Sequence, residues 1–369
     1  MIRLAAAGLT LALLGAACAG PNPDASAKGK VQETTTSTIA KGPETTAAGL
    51  RSKLTGLFQE HVFLAAAVAS SRSRADELAA AQAALDDNSK ALTDNITAIF
   101  AATPAVGKEF GELWKGGVVQ NATGIGSLFN AAVGLPIDAL SGPLTTVEQA
   151  IGNGTDFTAL RGAAAQMATM AAKLTGAIAK KLPDKIGGDP GSKASDLLTN
   201  LNFGLREHVF LASAATGAAL GGRADEFAAA KTALDANSDA ITGTIAGVYG
   251  DEAGKQFAPL WSKHIGFLVD YTTAIGATDQ AKADQAMDNL LGYADHFAAF
   301  LNAASPKLAK DTVAGLIKTH ISTLKDEIDA QAAKNFTKAY ASERTAADHM
   351  HVIATGLATT VVAQFPTKF

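Results

Sequence analysis

Apolar residues return at three- and four-residue steps along almost the whole chain after residue 47. Leu201, Leu205, His208, Leu211 and Ala212 make one such stripe; Leu57, Phe58, His61, Leu64 and Ala65 make another. The background is rich in alanine, and no stretch alternates as a half-buried strand would. The pattern predicts an all-α protein. The periodicity stops at "ALGGRAD", "VYGDEAG" and "NAASPKLAKD", where glycine, proline or a charged turn interrupts it.

The stripes repeat at two scales. "RADELAAAQAALDDNS" (74–89) and "RADEFAAAKTALDANS" (223–238) agree at 12 of 16 positions, and "EHVFLA" stands at 60–65 and again at 207–212. The N-terminal region thus duplicates part of the C-terminal one. Within the latter, "LREHVFLA", "WSKHIGFL" and "IKTHISTL" set His208, His264 and His320 at steps of 56 residues. "LDANSDAI" (234–241), "LLGYADHF" (290–297) and "AADHMHVI" (346–353) keep the same step. The predicted unit is an antiparallel helical hairpin of about 56 residues, and three of them make a C-terminal bundle. In the N-terminal copy the same step from His61 lands on Gly117, three residues after Trp114, as His264 follows Trp261. An insertion containing Ala, Gly and Pro (about 134–156) comes next.

All four histidines of these stripes are expected inside. The second helix of each hairpin carries one polar residue on its own stripe: Asn88, Asn237, Tyr293 and His349. Asp239, Asp295 and His351, two positions further, are turned by roughly 200° and should face away. Glu60 and Glu207, turned by roughly 100° from their neighbouring His, belong at the edge of the buried face. His296, three after Tyr293, is placed near the core.

Two readings follow. In one, each His pairs with the polar residue of its own hairpin: His61 with Asn88, His208 with Asn237, His264 with Tyr293, His320 with His349. An unpaired buried polar group costs ~1–3 kcal/mol, so such pairs would fix the register of alanine-rich helices. In the other, three hairpins close about a common axis and His208, His264 and His320 present imidazoles to one cation, such as Zn, Fe or Cu. His349 or Glu207 would complete the set; three His ligands and an open position are a known metal geometry. Asp348 and His351, one turn apart, make only one loose carboxylate-x-x-His motif, where a di-iron bundle needs two plus further Glu. No nucleophile elbow, P-loop or dinucleotide fingerprint occurs, and Glu207 is the one catalytic group that a metal-dependent enzyme could name.

Composition narrows the setting. A net charge of −4 with scattered Lys and Arg leaves no basic footprint for nucleic acid. Arg3 followed by the apolar run Leu4–Ala17 is too short for a spanning helix of ~20 residues and has the form of an export signal. It ends in "LLGAAC", which resembles a bacterial lipoprotein signal. That resemblance implies cleavage before Cys18, the single Cys of the chain, and its lipidation; Gly15 departs from the aliphatic residue the pattern prefers. The expected organisation is a signal peptide (1–17), a lipidated flexible tether (18–47), a degenerate N-terminal helical bundle (48–186), a linker (187–197) and the three-hairpin bundle (198–369).

The region 200–369, and more weakly 51–100, resembles a group of small bacterial helical proteins. These carry Glu-His near a helix start, further His in later helices, and a chain end like "AQFPTKF". The resemblance implies an all-helical fold and weight on His208, His264 and His320, and it transfers no activity. Thr355 stands where that pattern has Asp. The expected function is an exported, membrane-anchored binding protein with a metal or small ligand among His208, His264, His320 and His349. The alternatives are a structural or interaction module of the cell envelope, and a metal-dependent enzyme.

Overall fold

The structure, a computed structural model, describes residues 45–369 except 119 and 153. The expected signal, Cys18 and the tether up to residue 44 lie outside the described residues. Among the described residues there are twelve α-helices and no strand. None of these helices is long and apolar enough to cross a membrane.

The helical chain starts inside the expected tether. Thr45 caps α1 (Thr46–Ser70) by accepting a hydrogen bond from the Ala48 amide, and Ala47 is already buried. Ser192 does the same for α7 (Lys193–Leu220). The helices that follow, α2 (Ala75–Ile99) and α8 (Ala224–Tyr249), begin without a side-chain cap. They carry Asp76 and Glu77, or Asp225 and Glu226, in the first turn, where carboxylates favour the positive end of the helix dipole.

The remaining helices are α3 (Pro104–Lys115), α4 (Ala122–Val133), α5 (Asp138–Ile151), α6 (Phe157–Lys181), α9 (Asp251–Gly276), α10 (Gln280–Ala304), α11 (Lys310–Ala332) and α12 (Phe336–Gln364). α7, α9 and α11 end at 220, 276 and 332, and α8, α10 and α12 begin at 224, 280 and 336, a step of 56 each time. The expected insertion (134–156) contains α5, which buries Leu140, Leu144 and Val147.

Each half closes into a ring of six helices, α1 to α6 and α7 to α12, in which the last helix packs back on the first. In the second ring α7, α9 and α11 also touch one another across the interior. That places the inward stripes of three successive hairpins against a common centre.

The two rings are not separate bundles on a linker. All the described helices belong to one compact unit with a continuous apolar core. The connection that was expected to be a free linker is tied down: Gly187 accepts from the Ala47 amide (3.1 Å), and Arg51 donates to the Pro190 carbonyl (2.7 Å) and pairs with Asp196. The reason is that α1 lies along α7, flanked by α2 on α12 and α6 on α8.

Contacts along this seam are reciprocal. Phe63 stacks on Phe210, its own counterpart in the duplicated "EHVFLA", with ring centroids 5.2 Å apart and planes at 15°. Gln59 donates to the Phe203 carbonyl (3.0 Å), while Arg206, the counterpart of Gln59, lies against Gly56, the counterpart of Phe203. A Cβ at Gly56 would stand 3.0 Å from the Arg206 Nε, so a larger residue there would push the guanidinium by a few tenths of an ångström. Such exchange of equivalent partners is how a two-fold interface is built.

Buried charges complete the seam. Glu60 on α1 receives Arg206 of α7 (2.9 Å) and Arg344 of α12 (2.6 Å); Glu207 on α7 receives Arg161 of α6 (3.1 Å). Arg161 and Arg344 hold matching places in "RGAAAQM" (161–167) and "RTAADHM" (344–350). Removing one partner of a buried pair strands the other, typically at ~3–5 kcal/mol, whereas an apolar replacement of both is often neutral. Arg206→Met leaves Glu60 with Arg344 alone and should lower the unfolding free energy by about 1.5–3 kcal/mol, the worth of one hydrogen bond to a charged group. The double variant Glu60→Leu/Arg206→Met should recover most of it, because Arg344 keeps Asp87 (3.3 Å) and Asp348 is exposed. Urea denaturation of the three proteins measures this; a double variant as unstable as the single one would refute it.

Candidate functional site

The inward stripes of α7, α9 and α11 bring His208, His264 and His320 together in the second ring. All three are buried. The Nε2 atoms of His208 and His264 are 3.4 Å apart, and the ring centroids of His208 lie 5.3 Å from His264 and 6.5 Å from His320. Trp261 walls the pair, 4.9 Å from the His208 ring and 4.5 Å from that of His264. An apolar cavity of about 50 Å³ adjoins His264 and His320 and is lined further by Tyr293, Phe297, Ile321 and Met350.

Beyond the His208–His264 contact, the Trp261 carbonyl acts on the His264 ring without reaching hydrogen-bond geometry at its Nδ1. The Nδ1 atoms of His208, His264 and His320 are all buried without a hydrogen-bond partner. Burial holds all three imidazoles neutral. His264 is pushed down to about 4, with the Trp261 carbonyl opposing, and His320 to about 3, with His264 and His349 adding to the effect. His208 is lowered by burial first and then by the other two rings. Neutral imidazole with a free lone pair is the form that ligates metals. The 3.4 Å between the two Nε2 atoms is close to the ~3.3 Å subtended by two bonds of ~2.0–2.1 Å at a tetrahedral ion. As placed, no three His, Cys, Asp or Glu side chains among the described residues surround one metal-sized point. The arrangement is therefore a pair with a third imidazole beside it.

The hairpin pairs expected from the sequence form in the first ring and not in the second. His61 Nδ1 meets Asn88 Oδ1 at 3.2 Å, and the Asn88 amide also donates to the Leu57 carbonyl. Asn237, the counterpart, instead donates to Glu207 (2.8 Å) and to the Gly204 carbonyl. Tyr293 stacks on His264, with centroids 5.1 Å apart and planes at 23°, without a hydrogen bond to it. His349 does not join His320. It is half-buried, and its Nε2 sits 3.0 Å from the Leu316 carbonyl. The inward place on α12 belongs to Met350, one residue on, flanked by Ala346, Ala347, Ile353 and Ala354.

Glu207 is committed elsewhere too, to Asn237 and Arg161; burial raises its carboxyl despite both. Asp239 and Asp295 face outward as expected, while His351 is half-buried and His296, expected near the core, is exposed.

Sequence reading missed the arginines that organise the seam. Their signal was present in the shared R-x-A-A-x-x-M of 161–167 and 344–350. It also missed Glu327 and Glu343, buried on α11 and α12 where helical polar residues normally face water. Comparison with protein-family models, curated proteins and solved structures found no match.

The first ring supplies a pH test apart from this cluster. Burial pushes His61 from 6.5 down to about 4, with Asn88 opposing. The unfolded chain therefore takes up a proton at 6.5 that the folded chain refuses, so stability is present above pH 6.5 and is lost as pH falls towards 4. His61→Gln removes this contribution, on the order of 3 kcal/mol across that window. Urea denaturation at both ends of the window should show a smaller acid loss in the variant; equal losses would contradict it.

Proposed function

We propose that this is an exported, lipid-anchored helical binding protein whose second ring holds a transition-metal ion at His208 and His264, with His320 as a third ligand. The observation that carries the reading is the orphaned state of the three imidazoles. In the first ring the histidine has its asparagine; in the second, three neutral rings converge in an apolar core with every Nδ1 unpartnered. Buried polar groups without partners are rare enough in native proteins that each asks for a reason, and a bound ligand is one. The ion would sit between the two Nε2 atoms, and His320 would reach it by a turn of its ring, for which the adjoining cavity leaves room. Soft thiolate ligands are missing from the described residues of the cluster, so Zn, Cu(II) or Fe suits the imidazoles better than Cu(I). The function is retention or delivery of that ligand at the membrane surface. The signal-like segment before Cys18 supports export, and Cys18 supports a lipid anchor.

One observation favours the alternative, a structural module of the envelope. The 3.4 Å between His208 and His264 also suits a weak N–H···N hydrogen bond between two core rings. Metal content separates the readings. Protein purified without chelator should carry about one transition-metal ion per chain, retained in His349→Ala and lost in His264→Ala. Equal content in wild type and His264→Ala would leave the structural reading.

Anchoring has its own test. Cys18→Ser should move the protein out of the membrane pellet of the expressing bacterium. A variant that stays in the pellet as firmly as wild type would end the lipoprotein reading.

A further inference from the structure

The seam between the rings opens, past the Phe63–Phe210 stack, into a cavity of about 140 Å³. This is close to the ~150 Å³ that accommodates benzene in an engineered core. Its walls are aromatic, with Phe63, Phe157, Phe210 and Phe336 from α1, α6, α7 and α12. On one side stand Ser213, Gln331 and Glu343. Glu343 is buried, and its Oε2 has no hydrogen-bond partner. Behind it Glu327 is buried as well; its Oε1 accepts from Gln331 (3.1 Å), and its Oε2 is also unpartnered.

Among the described residues, the cavity has no spare buried cation to answer these carboxylates. Arg223 borders it but is tied to Glu226 (2.7 Å), as Arg74 is tied to Glu77 (2.6 Å) at the start of α2. Arg344, next in sequence, is held by Glu60 and Asp87. Lys334 lines the cavity from an exposed position, where water screens it. Burial accordingly pushes the Glu343 carboxyl up to about 8, with Ser213 opposing. An anion would find no free donor charge here, and an apolar molecule would leave the Glu343 oxygen as unsatisfied as before. A cation with an apolar body answers both the carboxylate and the aromatic wall.

We propose that this seam cavity is a binding site for a small primary amine, its ammonium group on Glu343 and its apolar body against Phe63 and Phe210. The site is built from both rings, whereas the histidine cluster lies within the second. The two inferences therefore stand or fall separately.

The probe is benzylamine, matched by the neutral benzyl alcohol, each titrated into the full-length protein by calorimetry. Benzylamine should bind wild type at least about tenfold more tightly than benzyl alcohol. This comparison needs no variant, so it survives any folding defect. Glu343→Gln keeps the shape and removes the acid whose proton the amine takes up on binding; it should weaken benzylamine about tenfold and leave benzyl alcohol unchanged. His264→Ala should leave both affinities as they are. Equal affinity of the two probes for wild type, no binding of benzylamine, an unchanged benzylamine affinity in a folded Glu343→Gln, or a loss in a folded His264→Ala would each overturn the proposal.

Discussion

Two carboxylates, Glu60 and Glu207, hold the rings together, and most other features follow from how each is satisfied. Both are nearly inaccessible to water, and both are met by arginines from the opposite ring. Such pairs add little net stability after desolvation, but they penalise any arrangement that leaves one member alone. This matters for helices as rich in alanine as these, whose small side chains can slide over one another at low cost. The planar guanidinium of arginine suits a buried carboxylate better than the strongly hydrated ammonium of lysine. A seam of stacked phenylalanines flanked by these ion pairs has one register.

The histidine chemistry is set by a difference at this seam. Where the second ring has Arg206, the first has Gln59, so Glu60 receives two arginines and Glu207 only one. Glu207 makes up the shortfall by taking the amide of Asn237. In the first ring the equivalent Asn88 is left free to pair with His61. The cost falls on His208, which loses its hairpin partner and turns to His264. The difference at the interface between rings thus goes with a satisfied core histidine in the first ring and a clustered one in the second.

Much of the fold is legible in the sequence because helical periodicity is a local property. The all-helical character and the turns of the second ring follow from apolar spacing and from stop signals such as "ALGGRAD", whereas α5, inside the expected insertion, does not. Burial of His61, His208, His264 and His320 follows the same way. His349 marks the limit of such reasoning. Its stripe and that of Met350 differ by one residue, about 100° of rotation, and alanine neighbours on both sides make either face acceptable. The larger, more flexible Met fills the centre, and the imidazole moves to the edge. The fusion of the rings was out of reach for a different reason. It depends on long-range pairs such as Glu60 with Arg344, which leave no local period, and the glycine-rich connection at 182–192 has the composition of a free linker.

The duplicated Glu-His acquires its meaning from the position of its helix. α7 is enclosed by α1, α8, α9, α11 and α12, so nearly every direction around it is interior. A helix in that position is normally apolar all round. Here successive polar residues each address a different neighbour: Arg206 reaches α1, Glu207 reaches α6 and α8, His208 reaches α9, and Thr216 reaches Gln331 of α11 at 2.8 Å. Residues one apart on a helix are turned by ~100°, so Glu and His written side by side cannot serve the same face. The pair is therefore two instructions, one that docks the rings and one that points into the core. Its recurrence in α1, the other helix of the seam, follows from the same enclosure.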